Sequence, residues 1–101
     1  MIDRQLYSGL IRLHILHHAD EGPIFGQAMI DELGRHGYRL SAGTLYPILH
    51  SMERHGYLRS RLTASRGRNR RVYRATPAGR KALVTARRRV QELFGEMFEH
   101  G

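Results

Sequence analysis

The hydrophobic period changes in mid-chain, and this change constrains the fold more than any other feature of the sequence. Up to about residue 55 the apolar residues return at the spacing of one helix face; after His55-Gly56 they follow two short strand-like runs, and after Thr76-Pro77 the helical spacing resumes. The pattern predicts a mainly α chain carrying one small β-hairpin. With 101 residues, such a chain forms one compact unit whose small core profits from association.

Leu6, Leu10, Leu13 and Leu16, widened by Ile11 and Ile15, predict a first helix over about Gln5 to Ala19, stopped at Gly22-Pro23. Its apolar arc is broad enough to pack on two sides. Ile24, Phe25, Ala28, Met29 and Leu33 predict a short second helix from about Phe25 to His36, ended by Gly37. Ser41 then stands where an N-cap belongs, its hydroxyl able to accept from the free amides of a third helix. That helix sets Leu45, Ile48, Leu49 and Met52 on one face, with Gly43, Pro47, His50 and Arg54 roughly opposite, and closes at His55-Gly56.

The runs Tyr57 to Thr63 and Arg71 to Ala75 predict two strands around a turn over residues 65–70, whose tip bears Arg66, Arg68 and Arg70. Thr76-Pro77 is a strong helix start, an N-cap followed by proline at the first helical position. The last helix then carries a seam of Leu83, Ala86, Val90, Leu93 and Met97, joined by Phe94 and Phe98. At roughly 22 residues it outruns what a small domain covers, so the seam is expected to pair with a second copy. Residues 1–76 thus read as one functional unit and 77–101 as a dimerisation helix.

Charge separates along the chain. Seventeen lysines and arginines face nine acids, a net +8, yet the stretch from Arg54 to Gln91 holds thirteen bases and no acid. Twelve of those thirteen are arginine, whose planar fork matches phosphates and guanine edges. An apolar fraction of 41% argues against disorder, so the charge calls for an anionic partner. The absence of cysteine excludes disulfides, thiolate metal sites and cysteine nucleophiles. No signal-like or membrane-spanning run opens the chain, which points to a soluble, cytoplasmic protein that uses no membrane.

Three helices followed by a basic hairpin make a winged helix-turn-helix, in which a helix enters the DNA major groove while the hairpin reaches the backbone beside it. Ser41, Thr44, Tyr46, Pro47 and His50 are then the candidates for the groove, with Arg54 near phosphates; Arg66, Arg68, Asn69, Arg70 and Arg71 supply wing contacts to double-stranded DNA. The rival readings are an RNA or ribonucleoprotein module using the same arginines, a protein lying on anionic lipid, and an inert solvated face. Catalysis finds no motif: the sequence lacks H-E-x-x-H, a phosphate-binding glycine loop and G-x-S-x-G, and Asp20-Glu21 and Asp31-Glu32 read as solvated doublets. His14 and His18, one helical turn apart, are the candidates for a divalent metal, completed across a dimer by Glu96, Glu99 and His100; a metal-responsive repressor is the corresponding alternative.

The stretch from Leu40 to Leu58 also resembles the recognition-helix signature of PadR-like transcriptional regulators, with the core Gly43-Thr44-Leu45-Tyr46-Pro47. Gly22-Pro23-Ile24-Phe25-Gly26 and Arg71-Val72-Tyr73-Arg74-Ala75-Thr76-Pro77-Ala78-Gly79 match the family too, and the single terminal helix is of its short-subfamily kind. The resemblance implies a homodimeric, ligand-responsive repressor whose terminal helix dimerises and whose inducer, when there is one, often binds near the dimer interface; the sequence itself calls for no cofactor. Where members commonly carry tyrosine this chain has Gln27, and it has no tryptophan, so an aromatic sandwich for a small-molecule effector would be built from Tyr7, Phe94 or Phe98.

Overall fold

The computed structural model describes residues 3–65 and 67–99. The order is α1 (Arg4–Glu21), β1 (Ile24–Phe25), α2 (Gly26–Arg35), α3 (Ala42–Arg54), β2 (Leu58–Ser65), β3 (Arg68–Ala75) and α4 (Pro77–Phe94), with a π-helical stretch, Gly95–Glu99, continuing α4. The mainly α fold with a small sheet is as predicted, but the sheet has three strands in the order β1-β3-β2. β1 is a two-residue strand lying between Pro23 and α2. It exists only because Ile24 pairs with Tyr73 and Phe25 with Val72. A strand defined wholly by a partner nearly fifty residues away leaves no local period to read.

Four helix boundaries have a plain chemical cause. Asp3 caps α1 by accepting from the amides of Gln5 and Leu6, both at 3.1 Å, so the helix starts at Arg4. α2 and α3 end alike: after α2 the Gly37 amide returns to Gly34 and the Tyr38 amide to Leu33, and after α3 Gly56 and Tyr57 return to Glu53 and Met52. This closure needs a left-handed residue at the glycine, and Gly37 and Gly56 have φ of +90° and +83°. The Thr76 hydroxyl accepts from the Gly79 amide at 2.9 Å, the cap expected before Pro77, and donates to the Gly56 carbonyl. One threonine thereby joins the end of α3 to the start of α4.

The core lies where α1, α2, α3 and the sheet converge. Ile11, Ile15, Met29, Leu33, Leu45, Leu49, Leu58 and Tyr73 are all below 2% exposed, and each such aliphatic side chain contributes about 1.5–3 kcal/mol. α4 joins this core only by its first half, through Gly79 and Leu83. Its far end projects, and Leu93, Phe94, Met97 and Phe98 are each more than half exposed. Among the described residues, no helix is long and apolar enough to cross a membrane.

Candidate nucleic-acid interface

Packing of Leu45, Leu49 and Met52 into the core turns the opposite face of α3 outward, leaving Ser41, Pro47, His50 and Arg54 exposed as expected. Ser41 does occupy the N-cap position, but its side chain caps no amide. Its hydroxyl instead lies 3.4 Å from Thr44 Oγ1, which also accepts from Arg4 Nη1 at 2.9 Å. Arg4 therefore stands beside the first turn of α3, a place the sequence did not disclose because forty positions separate it from Thr44 and it lies outside the basic run. Tyr46 is half-buried: its ring lies over Gly26, the buried first residue of α2, where only the absence of a Cβ leaves room for the phenol. Gly26→Ala is expected to cost about 1–2 kcal/mol by pushing that ring aside, and Tyr46→Phe in the same background should recover part of the loss, as read by thermal melts.

The hairpin is longer than predicted. The β2–β3 ladder continues to Ser65 opposite Arg68, so Arg68, Asn69 and Arg70 are exposed strand residues and not members of a broad tip loop. Gly67, at φ +75°, allows the tight reversal that lets the ladder continue so far. Arg66 lies outside the described residues. Arg70 sits with its guanidinium 5.4 Å from the centre of the Phe25 ring, and Arg71 Nη1 donates to Ser60 Oγ at 3.1 Å. Arg59 lies directly opposite Arg74, an arrangement that costs energy unless an anion neutralises it. Among the described residues, no ion pair joins a base of the 54–91 run to a carboxylate.

His14 and His18 share a side of α1 but take different partners. The His14 ring packs on His36 with centres 4.7 Å apart and on Tyr38 at 5.4 Å, whereas His18 Nε2 is 3.5 Å from Glu32 Oε2. His36 Nε2 reaches the same Glu32 oxygen at 2.9 Å, and Arg35 takes the other at 2.6 Å. Among the described residues, no group of three His, Asp or Glu is placed to hold a metal ion, and His100 lies outside them. The alternative metal centre is therefore not assembled within one chain: His14 turns to His36 and Tyr38 and His18 to Glu32, so the two imidazoles do not converge.

Those contacts set a pH dependence. Hydrogen bonds from Arg35 and then His36 hold the Glu32 carboxyl at about 2, below its ordinary 4.5. Burial, and then the neighbouring His36 and His18, push the His14 imidazole below its ordinary 6.5. Both groups are less protonated folded than unfolded, so both contributions are complete above the ordinary values and fade as pH falls, His14 first below 6.5 and Glu32 below 4.5. Urea midpoints should drop as pH is lowered from about 7.5 to about 3, and His14→Gln should remove the upper part of that drop alone.

The predicted dimer seam divides. Leu83 belongs to the core of its own chain at 4% exposure, a correction that follows from α4 packing on α1 with its first half. Ala86 is half-buried, while Val90 is 45% exposed and the four apolar residues after it more so. Between α1 and α4 runs an apolar groove of about 520 Å³, lined by Leu10, Leu13, His14, His17, Leu83, Ala86, Arg87, Val90 and Gln91. Tyr7 packs toward Tyr38 at 6.3 Å, whereas Phe94 and Phe98 pack on each other at 4.9 Å. The effector cage expected from these three aromatics is not formed within one chain, because its parts sit on different contacts.

Comparison with known proteins agrees with this architecture. The model of the transcriptional regulator PadR-like family matches residues 15–85. The transcriptional regulator Rv3488 of Mycobacterium tuberculosis is 52% identical over 94 residues, spanning 93% of this chain and 88% of that protein. A PadR family transcriptional regulator from Eggerthella lenta has TM-score 0.80 and 27% identity over 94% of this chain and 84% of its own. Bacillus subtilis PadR, solved in complex with operator DNA, shares the fold with TM-score 0.68 and 18% identity, over 75% of this chain and 45% of its own.

Proposed function

This chain belongs to the PadR-like family of transcriptional regulators, and from that premise we propose that it is a cytoplasmic homodimeric repressor of a pseudo-palindromic DNA operator. The observation that carries the reading is the pairing of two outward surfaces: the exposed side of α3, with Ser41, Pro47, His50 and Arg54, and a wing whose described arginines have no carboxylate partner. α3 enters the major groove with Ser41, Thr44 and the outer edge of Tyr46 near base edges, and Arg4 extends that contact. Arg66, Arg68, Asn69, Arg70 and Arg71 follow the backbone. The likeness to a PadR protein solved on operator DNA supports the same use of the fold.

Dimerisation rests on α4. Its exposed apolar end, from Val90 to Phe98, seats against the groove between α1 and α4 of the second copy. Arg87, Arg88 and Arg89 precede Glu92, Glu96 and Glu99 along the helix, a polarity that favours antiparallel pairing of two such helices. Residues 1–76 thus act as the DNA-binding unit and 77–101 as the dimerising helix, with two recognition helices roughly 34 Å apart. A small-molecule effector held at this interface would lower operator affinity by binding more tightly to a dimer of different helix spacing.

The test is the salt dependence of binding to the DNA upstream of this protein's own gene. Arg68→Ala should weaken binding to every duplex and reduce the slope of log affinity against log salt by about 0.9, while His50→Ala should reduce sequence preference and leave the slope unchanged. Equal affinity for structured RNA and that duplex would favour the ribonucleoprotein reading instead.

A further inference from the structure

We propose that Glu53, at the end of the recognition helix, is a positioning residue that fixes the wing through Ser60 and makes Arg71 a preset DNA contact; this deepens the DNA-binding reading and rests on it. Glu53 Oε2 accepts both donors of one residue, the Ser60 amide at 3.0 Å and the Ser60 hydroxyl at 2.8 Å. With its single proton committed to Glu53, the hydroxyl oxygen keeps its lone pairs, and one accepts from Arg71 Nη1 at 3.1 Å. The chain of bonds runs from α3 through β2 to β3. The register puts the side chains of Ser60 and Arg71 on one face of the hairpin, since Ser60 is opposite Tyr73 and Arg71 opposite Leu62, so the guanidinium leans back toward α3.

The placement of an acid here argues for such a role. Glu53 stands immediately before thirteen bases without an acid, and near a phosphate backbone its charge would by itself weaken binding. What it supplies in return is geometry. The helix reads base edges and the wing reads the backbone, and only a fixed distance between them lets both contacts form at once without ordering a mobile hairpin. On the other face, Arg70 is held over Phe25, the last residue before α2, so the wing is tied to both helices of the helix-turn-helix.

The experiment measures affinity for the duplex from upstream of the protein's own gene, across salt, alongside thermal melts. Removing an acid should strengthen DNA binding if only charge matters; positioning predicts the opposite sign. Glu53→Ala should bind about fivefold more weakly with an unchanged salt slope, because Arg71 remains but is no longer held. Glu53→Gln keeps an acceptor for Ser60 and should bind at least as well as wild type. Arg71→Ala should lower the slope by about 0.9, and its effect on affinity should shrink in the Glu53→Ala background. Ser60→Ala breaks the link to Arg71 while changing no residue of α3 and keeping the amide bond to Glu53, and it should weaken binding in the same direction as Glu53→Ala, which covers the case of that variant melting early. Tighter or unchanged binding by Glu53→Ala and Ser60→Ala, or additive effects in the double variant, would overturn the proposal. A wild-type protein that binds no duplex would instead overturn the DNA-binding reading beneath it.

Discussion

Val90→Asp is expected to leave a folded monomer that has lost operator binding. Val90 is 45% exposed in the single chain and lines the groove between α1 and α4, so its substitution leaves the intrachain core intact. In the proposed dimer the same position would be buried, and an unpaired carboxylate there would cost about 3–5 kcal/mol, a weakening of association on the order of 100-fold or more. A monomer presents one recognition helix, so operator affinity should fall by a comparable factor while the salt-dependent binding of the wing persists. Val84→Asp is the control: Val84 is also exposed on α4 but does not line that groove, and its variant should sediment as a dimer. Sedimentation velocity at micromolar concentration distinguishes the two, and a dimeric Val90→Asp would remove α4 from the interface.

Gly79→Ala carries the largest expected loss of stability. A Cβ at Gly79 would collide with the Tyr57 carbonyl and lie 3.3 Å from Leu16 Cδ1. The obstacle is backbone, held in place because the Tyr57 amide bonds to Met52 and the Tyr57 carbonyl accepts from the Thr76 amide. α4 must therefore shift as a whole, loosening the Thr76 cap and the Leu83 contact, at a cost of about 2–3 kcal/mol. The melting temperature should fall by about 8 °C or more at fixed protein concentration. Gly34→Ala makes the contrast, since nothing lies within 4 Å of a Cβ there. Without a clash, helix propensity alone acts, and that variant should gain about 0.5–1 kcal/mol. Equal melting temperatures for the two variants would mean that α4 does not rest on the Tyr57 backbone.

Much of the fold was legible because its punctuation is local. Gly37, Gly56 and Thr76-Pro77 act through bonds to residues within one turn, and sequence reasoning placed all three boundaries correctly. β1 was invisible for the opposite reason, being made by β3 alone. The wing was found but shortened: arginines at 66, 68 and 70 suggested a loop, although a glycine reversal at 67 lets exposed strand residues be arginine without harm to a core. Leu83 fitted the dimer period yet serves the core, because periodicity defines a stripe and does not say whether its partner is α1 or a second chain. At the interface, the outward side of α3 was legible from the apolar residues opposite it. Arg4, the Gly26–Tyr46 contact and the Glu53–Ser60–Arg71 chain were not, since each depends on tertiary approach between elements.

The central claim, sequence-specific operator binding by a dimer, is tested most directly by fluorescence-anisotropy titration of the duplex upstream of this protein's own gene against a scrambled duplex of equal length, at two salt concentrations. The account predicts a preference of about 1,000-fold or more that survives the higher salt. Equal and steeply salt-dependent affinity for both duplexes would contradict it, reducing the arginines to general phosphate binding.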